Sequence, residues 1–348
     1  MEFTTDKVHN LRKSLKALDT NLWQLRISLF YIKSVSLSSC ADNGFNELKE
    51  ICKVILNNVP FMLSLLDTTY ITRARQNIKP VFSKESELSH NKDLATVSSG
   101  RFNLAGESVF YGCLPTHHEN GDLINYRNQC PLFEICKEIS TGEGMNFPVF
   151  FTLGFWKVIK QLPVLNLCYD EDHLISNPAI NKPVNEWITH IKKEASPKTF
   201  EFIIEVWRYF SGLTRQWGKD KNPNSYLVLT AFFHAFKETY KQSHLSDCAG
   251  IMYPSAMTEA KGLNIVLDPT AVNEHLQLSC VQMYLLRSRG LSRDYEPITQ
   301  RVPVINSNFV FDKKVMFWYN LAMHNWKEIE SEYLQSAGVL PYPGIANP

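Results

Sequence analysis

The chain reads as an α+β protein: a split antiparallel β core with a helical hairpin ahead of it and helices inserted within it. Three observations carry that reading. Apolar residues step by three and four through the first 66 positions. Short β-branched and aromatic runs, bounded by turn residues, begin at Thr68. A long stretch from Pro183 to Ser243 then returns to helical spacing before strands resume, which places helices inside a β domain.

Each element follows from its pattern. Val8, Leu11, Leu15, Leu18, Leu22, Leu25, Leu29 and Ile32 form one helical stripe, and Phe45, Leu48, Cys52, Ile55, Val59, Met62 and Leu66 form a second. Ser36 to Asn43 supplies the connection, so residues 1–66 are expected to be an antiparallel hairpin. Pro60 predicts a break near Asn57 and Asn58. The hairpin is read as packing on its own domain, in preference to a docking or oligomerisation seam.

Thr68 to Arg75 and Ser108 to Cys113 read as strands. Thr116 to Gln129 reads as an inserted polar loop, and Pro131 to Ile139 as a helix. Phe147 to Leu153 and Trp156 to Cys168 suggest a hairpin with Gly154 near its turn. Within the insertion, Phe200, Ile203, Ile204, Trp207 and Phe210 make one helical face, and Tyr226, Leu229, Phe232, Phe233 and Phe236 another. Strands are expected again at Gly250 to Tyr253, Leu263 to Leu267 and Gln277 to Leu286. A last helix is expected over Lys313 to Gln335. The organisation is thus a hairpin (1–66), a core domain (67–300) with an insertion at about 183–243, and a C-terminal helix and tail (301–348).

Composition narrows the function. With 348 residues, 44% apolar and 20% charged, the chain has the profile of an ordinary globular protein. A net charge of +1 leaves no basic footprint for nucleic acid. The segment Met1 to Asp6 lacks a basic start and an apolar run, so no secretory leader is expected. No apolar run approaches the roughly 18 residues of a membrane span. Eight cysteines without a Cys-x-x-Cys pair suggest reduced thiols in a cytoplasmic protein. Without metal-ligand spacing around His117 and His118, no metal is expected. No Gly-x-Gly-x-x-Gly supports a Rossmann dinucleotide site.

The densest chemical signal is Gly100-Arg101-Phe102-Asn103-Leu104-Ala105-Gly106, running into Ser108-Val109-Phe110-Tyr111-Gly112. A guanidinium offers a fork for phosphate or carboxylate, a tyrosine offers a flat plate, and glycines allow close approach. Two later blocks join it: Cys130-Pro131-Leu132-Phe133-Glu134-Ile135-Cys136-Lys137, and Cys248-Ala249-Gly250-Ile251-Met252-Tyr253-Pro254-Ser255 with Gly262-Leu263-Asn264-Ile265-Val266-Leu267. With Tyr70-Ile71-Thr72-Arg73-Ala74-Arg75 upstream, these blocks resemble the RES-domain family, named for its arginine, glutamate and serine. The resemblance covers roughly residues 68–290 in pieces. It implies a fold like that of ADP-ribosyltransferases, with NAD as substrate. It also implies a toxin neutralised by an antitoxin-like protein.

That resemblance assigns Arg73, Arg101, Tyr111 and Ser255 to NAD binding, and Glu134, Arg101 and Ser255 to catalysis. The residue types suit the chemistry. Nicotinamide leaves as a neutral group, the ribose becomes oxocarbenium-like, and a nearby carboxylate stabilises that charge. Arg73 and Arg75 share a strand face, so alternation alone does not choose between them; the resemblance favours Arg73. Glu119 and Glu138 compete with Glu134 for the carboxylate role. Without a Gly-x-Ser-x-Gly elbow, Ser255 reads as a hydrogen-bonding group rather than a nucleophile. The leading expectation is a glycohydrolase, phosphorylase or ADP-ribosyl transferase. The alternative is an inactive nucleotide-binding or partner-binding module. Restraint is expected from a separate partner, ahead of an internal cover by residues 5–66 or 183–243.

Overall fold

A computed structural model of the chain describes residues 5–35, 44–76, 82, 84–115, 126–135, 149–216, 223–241, 248, 250–258, 262–291, 297–310 and 315–320. The N-terminal helices are α1 (Thr5–Thr20), α2 (Leu22–Ser34) and α3 (Gly44–Asn58). α1 and α2 share one stripe that bends at Asn21, whose N–H lies 3.2 Å from Ala17 O and 3.1 Å from Leu18 O. The Val59 N–H makes the last α3 bond, to Ile55 O at 2.8 Å, and Pro60 has no N–H to continue the ladder. The second helix therefore stops short of the expected Leu66. Leu63–Leu66 is instead a strand, β1.

The following elements are β2 (Tyr70–Gln76), β3 (Phe110–Leu114), α4 (Tyr126–Ile135), β4 (Val149–Val158) and β5 (Leu162–Asn166). Four helices come next: α5 (Glu171–Ser176), α6 (Pro178–Glu194), α7 (Pro197–Arg215) and α8 (Pro223–Lys241). The chain then returns to strands β6 (Gly250–Pro254) and β7 (Leu263–Leu267), followed by the short helix α9 (Pro269–His275). β8 (Leu276–Leu291), β9 (Pro297–Val310) and β10 (Val315–Asn320) complete the described chain. The strands lie in the order β1-β5-β6-β7-β3-β2-β4-β8-β9-β10. All neighbours are antiparallel except β5 and β6.

The split in this sheet lies between β2 and β3. They share the single register pair Thr72↔Cys113, held by Thr72 Oγ1 donating to Cys113 O at 3.2 Å. On either side of this seam the ladders are full: β3 runs beside β7 from Phe110↔Leu267 to Leu114↔Leu263, and β2 beside β4 from Tyr70↔Lys157 to Gln76↔Phe151. The parting opens a cleft that α4 flanks.

Two apolar cores cover the sheet. Along β6, Ile251 and Tyr253 enter one core and Met252 the other; along β7, Val266 faces the first, Ile265 and Leu267 the second. Burial on both faces is why these strands read as continuous apolar runs. The first core also holds Leu18, Leu25, Cys52 and Ile55 of the N-terminal helices, with Phe210 and Phe232 of the insertion. The Phe210 and Phe232 rings lie 4.2 Å apart, and Phe61 lies 5.7 Å from Phe232.

Three further sequence expectations are corrected. Gly154 is not in a turn: it lies inside β4, opposite Arg73 on β2 and Val281 on β8. A Cβ there would sit 3.1 Å from Trp156 Nε1, so the position is small to admit that ring. Nor do β4 and β5 pair; β5 joins β1 and β6. Val315–Asn320, expected in a helix, is an edge strand, consistent with its Val, Phe, Trp and Tyr content. Residues 321–335 of that expected helix lie outside the described residues. The Thr116–Gln129 loop reading ends at Tyr126, where α4 begins, and residues 116–125, with Glu119, His117 and His118, lie outside the described residues, as does Glu138. No helix among the described residues is long and apolar enough to cross a membrane.

Candidate functional site

The Gly100–Glu107 turn is built by its own side chains. Gly100 N–H donates to Asn103 O at 3.0 Å, and buried Asn103 donates through Nδ2 to Ser98 O at 3.0 Å and Leu104 O at 2.9 Å. The Tyr111 hydroxyl reaches back from β3, accepting from Phe102 N–H at 2.8 Å and donating to Asn103 Oδ1 at 3.0 Å. A Cβ on Gly100 would lie 2.5 Å from Asn103 Oδ1 and 3.0 Å from the Tyr111 hydroxyl, so glycine alone fits this approach. Gly106 has φ of +79°, the left-handed region where a side chain is strained. The motif thus first specifies a rigid turn, and that turn aims Arg101.

Arg101 is 7% exposed, with Nη2 donating to Gln216 O at 3.1 Å. Its Cζ lies 5.5 Å from the Tyr226 ring centre and 5.8 Å from that of Tyr253. Burial opposes its charge, yet the attraction of Glu134, aided by Tyr253 and Tyr226, holds the guanidinium above its ordinary pKa. Arg73, half-buried, donates from Nη1 to Tyr111 O at 2.8 Å and sits 5.0 Å over the Phe110 ring. Burial, together with repulsion from Arg75, pushes its pKa down to about 10, so it stays a cation at neutral pH. Nε of both Arg73 and Arg101 is buried without a hydrogen-bond partner.

Glu134 approaches from the last turn of α4. Its Oε1 accepts from Ser255 Oγ at 2.6 Å and from Asn264 Nδ2 at 2.7 Å. Ser255 is fully buried just past β6, its N–H bonded to Gly262 O at 2.9 Å. Asn264 Oδ1 accepts from Cys113 Sγ at 3.1 Å and Cys130 Sγ at 3.4 Å, which fixes the amide so that its NH₂ faces the carboxylate. Burial raises the Cys113 thiol well above its usual pKa, leaving it a packing and donor group. Cys52, Cys113, Cys130, Cys168 and Cys248 are all free and buried.

These groups surround one cavity of about 300 Å³ at the β2–β3 parting, lined among others by Arg73, Arg101, Tyr111, Glu134, Tyr226 and Asn264. The volume falls at the small end of ligand sites, ~300–1,000 Å³. Across Arg73, Ala74 and Ile135 it adjoins a more open groove of about 600 Å³ that holds Arg75, Asn91, Lys92 and Asp93. Of the residues singled out by sequence, Arg73, Arg101, Tyr111 and Glu134 meet at this cavity. Ser255 lies behind Glu134 rather than on the wall, and Arg75 lines only the neighbouring groove, bonded to Glu87 O.

Sequence reasoning missed Asn264, Asn103, Tyr253, Gln216 and Tyr226 as site residues. An asparagine in the apolar run Leu263–Leu267 was a readable signal, since a buried amide needs partners. Tyr226 gave none, because only packing of α8 brings it to the cavity. Among the described residues, no group of three or more His, Cys, Asp or Glu side chains could hold a metal ion. No family model matches the chain, and no curated protein sequence is similar to it.

Proposed function

We propose that the chain cleaves the nicotinamide–ribose bond of NAD, as a RES-like enzyme with an ADP-ribosyltransferase-like core. The observation that carries this reading is the Glu134 carboxylate. It is held by Ser255 and Asn264 on one oxygen, and it stands in the same cavity as the half-buried Arg73 and the buried Arg101. A fixed carboxylate suits a reaction in which positive charge develops on a ribose, because its stabilisation is largest in the transition state. Arg73 and Arg101 suit a diphosphate, whose oxygens a guanidinium fork binds with charge-assisted hydrogen bonds. The acceptor is water, phosphate or a macromolecule, and the cell restrains the activity with an antitoxin-like partner.

The test is release of nicotinamide from NAD by purified protein, with and without inorganic phosphate. Glu134→Gln keeps an oxygen that accepts from Ser255 and Asn264, so fold and NAD binding should persist. Turnover should fall by at least about a hundredfold, the scale of a lost transition-state electrostatic contact. Calorimetric binding of NAD without nicotinamide release by the wild type would favour an inactive nucleotide-binding module. Full activity in Glu134→Gln would remove the carboxylate from the mechanism.

A further inference from the structure

The inserted helices reach the cavity at one corner, and there they grip the Arg101 turn. Gln216, which ends α7, accepts from Arg101 Nη2. Ser225 in the first turn of α8 donates its hydroxyl to Gln216 Oε1, joining the two helices. Further along α8, Thr230 Oγ1 donates to Arg101 O at 3.4 Å, and His234 Nε2 lies 2.7 Å from Glu107 Oε2. Tyr226 is the residue this arrangement delivers to the cavity wall.

Three tyrosines line the cavity, and they differ in what is left for a ligand. The Tyr111 hydroxyl is committed on both sides, to Phe102 N–H and Asn103 Oδ1. Tyr253 is 3% exposed, its ring packed 4.9 Å from Phe102. Tyr226 is half-buried, and its ring centre lies 5.5 Å from the Arg101 guanidinium carbon. A flat apolar plate is thereby fixed directly beside a buried cation. A planar heteroaromatic ring carried next to an anionic group has that shape and charge.

We infer that Tyr226 is a recognition residue of this site: its ring stacks on the flat base of a nucleotide while Arg101 takes the adjoining anionic oxygens. The inserted helix pair is then part of the binding site, not an appendage. This inference rests on the NAD reading above.

Calorimetry with NAD on wild type, Tyr226→Phe, Tyr226→Leu and Tyr226→Ala tests it. Stacking worth ~1–3 kcal/mol per base predicts affinity lower by about tenfold or more in Tyr226→Ala and Tyr226→Leu. Tyr226→Phe keeps the ring and should stay within about threefold of wild type. Leucine fills similar space, so equal affinity in the Leu and Phe variants would reduce Tyr226 to a packing role and overturn the inference. So would unchanged affinity in Tyr226→Ala. If wild type itself does not bind NAD, the functional reading and this inference both fall. If wild type binds and Tyr226 is indifferent, only the inference does.

Discussion

Arg101 shows how its surroundings fix the place and the charge of one side chain. Its turn is rigid because Asn103 and the Tyr111 hydroxyl tie it, and its guanidinium is buried yet kept charged by Glu134. Replacing it with lysine keeps a charge but removes the planar fork, the bond to Gln216 O and the guanidinium's cation–π contacts with two tyrosine rings. Arg101→Lys should therefore weaken NAD binding at least about tenfold, matching the loss of a charge-assisted contact of about 1.5–3 kcal/mol. Calorimetry alongside a melting curve would check it; wild-type affinity would return Arg101 to the rank of a turn residue. The sequence made this residue legible because the glycines and asparagine that hold it are neighbours in the chain. Asn264 and Tyr226 were harder to see, since what makes them matter is contact with residues 130 and 125 positions away.

At the scale of elements, periodicity served well where one stripe faced one core, as in α2, α3, α7 and α8. It failed where tertiary pairing decided the outcome. Gly154 punctuates the sequence like a turn, but β2 and β8 hold it inside a strand, and β10 gains its identity from β9. The seam between α3 and α8 carries its own prediction. Glu238 on α8 pairs with Lys49 at 2.7 Å and with Lys53, which hold its carboxyl down at about 2. That folded value lies below the unfolded one of about 4.3, so its stabilisation is complete above that pH. It declines as pH falls and is lost once pH passes about 2. Because the Glu238 side chain is 42% exposed, solvent screening limits the effect to at most about 1 kcal/mol. Glu238→Gln should lower the urea midpoint at neutral pH, with the gap to wild type closing as pH approaches 2. A gap that does not change with pH would show that the ion pairs contribute nothing to it.

For the whole molecule, the question is whether the N-terminal helices cover the cavity or merely support the fold. Leu15, Leu18, Leu25, Leu29 and Ile32 are buried in the same core as Phe202, Phe232 and Ile251, so these helices share the interior of the insertion and the sheet. Asp19, near the end of α1, accepts from Ser196, the residue that caps α7, at 2.7 Å. Among the described residues, every one lining the cavity comes from β2, the Arg101 turn, β3, α4, α8, β6 or β7, and none from the N-terminal helices α1, α2 and α3. A lid must separate from the core without unfolding it, whereas these helices would expose core on leaving. Leu25→Ala should cost about 2–5 kcal/mol, the range for deleting a buried leucine, and leave NAD binding per folded molecule unchanged. The harsher pair Leu18→Asp and Leu25→Asp buries two carboxylates without partners and should lower the melting temperature and the nicotinamide-release rate together. If that pair instead raises activity while the melting curve stays cooperative, the helices restrain the site through a route other than contact. If activity falls only in step with folded protein, the N-terminal helices do not restrain the site, which leaves a separate partner, the inserted helices or a slow intrinsic rate.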